Sequence, residues 1–170
     1  MIKASIDMEY EMANILAVAQ QGEAILNIVA APVSQKEFSN SWLKELTLAM
    51  MDTMLERQGV GIAAPQVYVS KRVIIVASRP NLRYLDAPYM DAIVMINPEI
   101  TYLSEQQVLG QEGCLSVPEQ RGEVARADEI RVKYFNIEGE AFEQTLTGFP
   151  ARIVQHEVDH LNGILFVDRI

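Results

Sequence analysis

The sequence predicts an α+β domain, and three patterns carry that prediction. Two short apolar runs, Arg72–Ala77 and Ile93–Ile96, have the β-branched density of buried strands. Two further β-like segments, Ile130–Asn136 and Glu140–Leu146, flank Glu138-Gly139 and read as a hairpin. Helical periodicity marks two other stretches, one beginning at Asn40-Ser41 and one spanning 150–162. Strands before and between two helices, with at least one hairpin, make the α+β arrangement.

Residues 1–13 read as a loosely attached extension to a single domain at 14–170, and Met12 is an alternative start. Asn40-Ser41 offers an N-cap, and Leu43, Leu46, Met50 and Met54 form one apolar stripe of a helix running to about Arg57. That methionine-rich stripe is read as core packing rather than a binding surface. Gly59 is expected to stop the helix, with Gly59-Val60-Gly61 opening a loop. Pro80 and Pro88 place an exposed loop between the two buried strands. The final helix has Pro150 in its first turn and Gly163 as its stop. It is apolar on more than one side, through Val154, Val158, Leu161 and Ile153, and is therefore expected to be buried.

Composition narrows the function classes. The chain has 170 residues, enough for a core without disulfides, and a net charge of −9 that argues against direct nucleic-acid or anionic-membrane binding. A basic start followed by a long apolar run is missing, so no signal peptide is expected, and no segment reaches membrane-spanning length. One cysteine, Cys114, cannot form an internal disulfide, and a thiolate ligand would suit the reducing cytoplasm.

Both histidines of the chain fall in His156-Glu157-Val158-Asp159-His160. Positions i and i+4 share a helix face, so two imidazoles can hold one metal ion with a carboxylate beside it as general base. An accidental match on a solvated face is the bland alternative, and the apolar flanks argue against it. A metal also compensates the burial of two imidazoles at once. The third ligand has to come from upstream: Phe166 occupies the position of the third histidine in metzincins, and Asp168 is the one acid that follows His160. Cys114, in Gln111-Glu112-Gly113-Cys114-Leu115-Ser116, is the leading candidate. A small buried hydrophobe or a catalytic thiol are the other readings of Cys114. A Cys-His-His set leaves one corner open on a tetrahedral ion, as catalysis needs.

Three segments together resemble peptide deformylases. Gly59-Val60-Gly61-Ile62-Ala63-Ala64-Pro65-Gln66 is similar to GxGxAAPQ, Glu112-Gly113-Cys114-Leu115-Ser116 to EGCLS, and Gln155–Leu161 to QHExDHL. Weaker similarity runs from about Ile15, through Gly22-Glu23 and Pro32-Val33, to the C-terminus. The resemblance implies a partly antiparallel sheet around a buried C-terminal HExxH helix. It implies hydrolysis of the N-formyl group from the N-terminal methionine of newly made polypeptides by metal-activated water. Cys114, His156 and His160 would be the ligands, Glu157 the general acid/base, and Gln66 and Leu115 the oxyanion donors. Taken alone, Gln66 reads as a turn residue after Pro65.

The resemblance further places the methionine side chain near Val60, Gly61, Phe149, Ile153 and His156, with Glu112 and Arg121 near the peptide. Glu112 could pair with Arg126, and Asp159 could orient a ligand from behind or sit on the helix surface. The expected cofactor is one Fe²⁺ per chain, with Zn²⁺ or Ni²⁺ as substitutes, although a Cys-His-His set alone would hold zinc well. A monomer acting on formylmethionyl nascent chains, in transient proximity to the ribosome, is the expected working state. Ile62 stands where the family has leucine, the loop 78–92 looks long, and no ribosome-docking C-terminal helix follows Ile170. Two rival readings remain at this stage: a zinc peptidase, which lacks its usual downstream ligand here, and a non-enzymatic metal sensor.

Overall fold

A computed structural model describes residues 14–170, so the expectation for residues 1–13 lies outside the described residues. Among the described residues, two α-helices and seven strands are arranged in layers. Helix α1 (Ser41–Glu56) covers one face of a five-stranded antiparallel sheet, and helix α2 (Gly148–Leu161) covers the other. The strands of that sheet are β1 (Gly61–Ala63), β2 (Val73–Ser78), β3 (Met90–Leu103), β6 (Glu129–Phe135) and β7 (Ala141–Thr147), in the order β1-β2-β3-β6-β7. A separate hairpin, β4 (Gln107–Cys114) and β5 (Val117–Ala127), closes over the far side of α2. The α+β class follows directly.

Strand β2 shows how one sequence serves two layers. Its side chains alternate, so Ile74 and Val76 pack with Ile153, Val154, Val158 and Leu161 of α2. Val73, Ile75 and Ala77 meet Leu43, Met50 and Met54 of α1. Because both faces are covered, the strand reads as a continuous apolar run. Fully burying each such aliphatic side chain contributes roughly 1.5–3 kcal/mol. A third cluster joins the hairpin to the chain ends through Ala19, Leu26, Cys114, Val124, Leu165 and Phe166.

Several boundaries differ from the sequence expectation for identifiable reasons. Asn40 occupies the N-cap of α1, but its side chain makes no capping hydrogen bond. At the other end Gln58, not Gly59, takes the left-handed conformation (φ 55°). The amides of Gln58 and Gly59 then bond the carbonyls of Leu55 and Met54, closing a Schellman turn. Gly61–Ala63 is a strand rather than a loop, because it pairs with the edge of β2 from Gly61↔Val76 to Ala63↔Ile74. Strand β3 continues far past Ile96: Asn97-Pro98 looks like a break, yet the chain shifts register there and goes on pairing with β6. The β6–β7 hairpin turns at Gly139 (φ 84°), with Asn136 Oδ1 accepting from the amides of Glu138 and Glu140. Helix α2 starts at Gly148, two residues before the expected position, and its last residue, Leu161, is followed by Asn162 and then Gly163 (φ 75°), where a Cβ would lie 2.7 Å from the Asn27 carbonyl oxygen.

Candidate metal centre and active site

Every residue of α2 from Ala151 to Leu161 is buried, so its polar side chains must find partners inside the protein. The hairpin supplies most of them. Gln155 behaves like one more strand residue: its Oε1 accepts from the Ala127 amide at 3.1 Å and its Nε2 donates to the Ala127 carbonyl at 2.9 Å. Arg152 donates to the carbonyls of Val108 (2.6 Å) and Val124 (2.8 Å). Gly110 makes room for that guanidinium, since a Cβ there would come within 2.8 Å of it. These bonds fix the rotation of α2 against β4, which ends in Cys114.

With the helix so placed, one ligand atom each from Cys114, His156 and His160 lies within 4.8 Å of the others, all three residues buried. Cys114 Sγ is 3.3 Å from His160 Nε2. The Nδ1–H of His156 donates to Glu112 Oε1 at 2.9 Å, which fixes the tautomer and leaves Nε2 free for a cation. Burial alone would raise the Cys114 thiol, but His160 and His156 outweigh it and hold the group well below its ordinary range. Burial likewise opposes a charged His156, yet Cys114, Glu112 and Glu157 hold its pKa well above the ordinary value. A divalent first-row metal suits a thiolate and two imidazoles, and its uptake would release that imidazolium proton.

Glu112 anchors this arrangement from behind. Its two oxygens take a bidentate pair from Arg126 (both 2.9 Å) and a further bond from Arg152 at 2.7 Å. Burial pushes its carboxyl up, but His156 and Arg126 win and bring it down to about 2. Arg126 also donates to Asp159 at 2.6 Å, and Asp159 in turn holds Arg169 near the C-terminus. Asp159 is therefore buried and acts two partners away from His156 rather than on the helix surface. Glu112, expected beside the peptide, does not line the pocket; its carboxylate is committed to the guanidinium pair.

The pocket beside the ligands is lined by Val60, Gly61, Gln66, Tyr84, Cys114, Leu115, Phe149, Ile153, His156 and Glu157, among others. Of the residues expected there, Arg121 stands outside it with its guanidinium over the Tyr84 ring at 4.8 Å. Gln66 sits on a 3-10 turn, Ala64–Val67, that follows β1. Its Oε1 accepts from the Ala63 amide at 2.9 Å, so the amide nitrogen must face the site, 3.0 Å from Ser116 Oγ and 3.5 Å from Cys114 Sγ. A turn residue and an aimed donor are here the same thing. Among the described residues, Glu157 Oε2 and His160 Nδ1 find no hydrogen-bond partner although both are buried. Burial, together with the charges of Cys114 and Glu112, raises the Glu157 carboxyl pKa against the opposing pull of the histidines. Gly61 is required beside it, because a Cβ at that position would lie 2.5 Å from Glu157 Oε1.

The polypeptide deformylase family profile matches residues 15–170. The chain belongs to the polypeptide deformylase family. Curated relatives include peptide deformylase 2 of Shewanella oneidensis, 48% identical over 91% of this chain and 83% of its own length. Peptide deformylase 2 of Nostoc sp. is 47% identical over 92% of this chain and 86% of its own length. Among solved structures, a class I type b peptide deformylase from Acinetobacter baumannii bound to Met-Ala-Ser superposes with a TM-score of 0.91 at 64% identity, covering 94% of this chain and 100% of that one. The peptide deformylase of Thermotoga maritima gives 0.81 at 38% identity, over 92% and 97% of the two chains. The chain is thus a deformylase, a metal-dependent amide hydrolase that removes the N-formyl group from newly synthesised polypeptides.

Arg152 and Tyr84 belong to the site although no motif marks them, while Arg126 is expected only as a possible partner of Glu112 and Ser116 only as part of the EGCLS segment. A buried arginine carries no local signature, because its partners here lie 14 to 40 residues away.

Proposed function

We propose that Cys114, His156 and His160 hold a single Fe²⁺, and that Glu157, Gln66 and Leu115 carry out deformylation beside it. The observation that supports this most is the convergence of three buried ligand atoms next to a carboxylate oxygen that has no partner among the described residues. When bound, the ion supplies Lewis acidity, lowering the pKa of water at the site and polarising the formyl carbonyl.

The protein's own groups do the rest. Val60, Phe149 and Ile153 receive the methionine side chain, and Gly61 lets the backbone of β1 come close to Glu157. Arg121, at the rim, faces the peptide that follows. The Gln66 amide and the Leu115 N–H donate to the oxygen of the formyl group as negative charge builds there; loss of one such donor reduces rate by about 10²–10³. Glu157 accepts a proton from the attacking water and returns it to the departing amine. The C–N bond breaks, a C–O bond has formed, and the products are formate and a peptide with a free N-terminus.

A single domain at 14–170 accounts for the three apolar clusters that meet on α2 and the sheet. The working state is a monomer, since Cys114, His156 and His160 form a ligand set that needs no residue from a second copy. No described helix is long and apolar enough to cross a membrane. The buried reduced cysteine fits the cytoplasm, where formylated nascent chains emerge, so proximity to the ribosome follows from the substrate. Formate release from a formyl-Met peptide tests the metal assignment: protein loaded with Fe²⁺ without oxygen should turn over faster than the Zn²⁺ form. A fully active zinc form beside an inert iron form would overturn iron.

A further inference from the structure

The loop between β2 and β3 turns two large side chains, Arg83 and Tyr84, toward the pocket. Leu82 and Leu85 are 80% and 73% exposed, whereas Tyr84 lines the pocket. An Asx turn presents it: Asn81 Oδ1 accepts from the amides of Arg83 (2.8 Å) and Tyr84 (2.9 Å). The ring is held by Phe149, with centroids 5.1 Å apart, and by the Arg121 guanidinium.

Its hydroxyl has an unusual partner. The Gly113 N–H donates to Tyr84 Oη at 3.1 Å, and Tyr84 Oη donates to the Gly113 carbonyl at 3.4 Å. Gly113 is the last residue of β4 before the ligand Cys114, and among the described residues β4 pairs with a strand on one edge only. Both backbone groups of Gly113 therefore point away from β5 and are satisfied by one side-chain oxygen. An extended peptide uses the same two groups when it adds to a strand edge, offering one carbonyl and one N–H. Gly113 also lines the pocket, so a peptide whose first side chain enters there runs past this edge.

We propose that Tyr84 is a positioning residue exchanged by substrate: its hydroxyl holds the Gly113 edge until the peptide backbone takes its place. The inference rests on the deformylase reading of the pocket. A carbonyl can accept two hydrogen bonds, but the Gly113 N–H is a single donor, so tyrosine and peptide compete for it. Removing the hydroxyl should tighten binding of peptide in ground and transition states alike, which changes KM rather than kcat.

Tyr84→Phe keeps the ring and its stacking and tests this. KM for formyl-Met-Ala-Ser should fall by roughly 2- to 12-fold, the range of one net hydrogen bond. Calorimetry on the metal-loaded protein should show the product Met-Ala-Ser binding more tightly by a similar factor. A Kd that stays within twofold would mean the peptide leaves Gly113 alone, and a Kd that rises would make the hydroxyl a direct peptide ligand. Either result overturns the exchange. Product binding reads the exchange without turnover, so absence of formate from both proteins would count against the deformylase reading alone.

Discussion

Glu157→Gln is expected to lower formate release from formyl-Met peptides by about 10²–10⁴ while leaving the metal content unchanged. The amide has the size of the carboxylate and fits against Gly61, where space is limited by a 2.5 Å approach, but it cannot carry a proton between water and amine. A pH profile separates this from a packing defect. Burial raises the Glu157 carboxyl pKa, with Cys114 and Glu112 adding to the shift, so the group is protonated and inactive as a base below a pH that lies above 4.5. The parent should therefore lose kcat on the acid side in that range, and the residual activity of the variant should lack that limb. Equal acid limbs in both proteins would remove Glu157 from the proton transfer.

Glu112→Gln is expected to weaken metal binding by about 10–100-fold, because His156 loses the acceptor that fixes its tautomer. It should also destabilise the fold by about 3–5 kcal/mol, since Arg126 and Arg152 would be left buried without their carboxylate. Denaturant unfolding and chelator competition measure the two effects separately. The same carboxylate gives the parent a pH signature. Its folded pKa, lowered to about 2 from 4.5, makes a contribution present above 4.5 and lost as pH falls toward 2. By linkage that contribution is about 3 kcal/mol, and it should be missing from the acid unfolding of the variant. An unfolding profile identical to that of the parent would show that the ion network carries no stability.

Much of this was legible in the residues themselves. The apolar run at 73–76 announces a strand covered on both faces, and the helical stripe of α1 appears as Leu43, Met50 and Met54 at zero exposure. The HExxH spacing, with apolar residues around it, foretold a buried helix, and Ala151–Leu161 is one. The β4–β5 hairpin was not legible: Gln107–Cys114 holds two glycines and no sustained alternation, and it becomes a strand through its pairing with β5 and its bonds to Arg152 and Gln155. The pairing of Glu112 with Arg126 is legible as a possibility in the sequence, whereas the convergence of Arg152 and His156 on the same carboxylate comes only from the fold. Tyr84 lies in a loop whose composition marks exposure, and nothing in its neighbours along the chain points to Gly113.

The most direct test of the metal centre is X-ray absorption at the iron edge of protein loaded without oxygen. One sulfur and two imidazole nitrogens in the inner shell, with the sulfur lost in Cys114→Ser, is the expected result. A shell with no sulfur in the parent, or one unchanged by that substitution, would contradict the assignment of Cys114, His156 and His160.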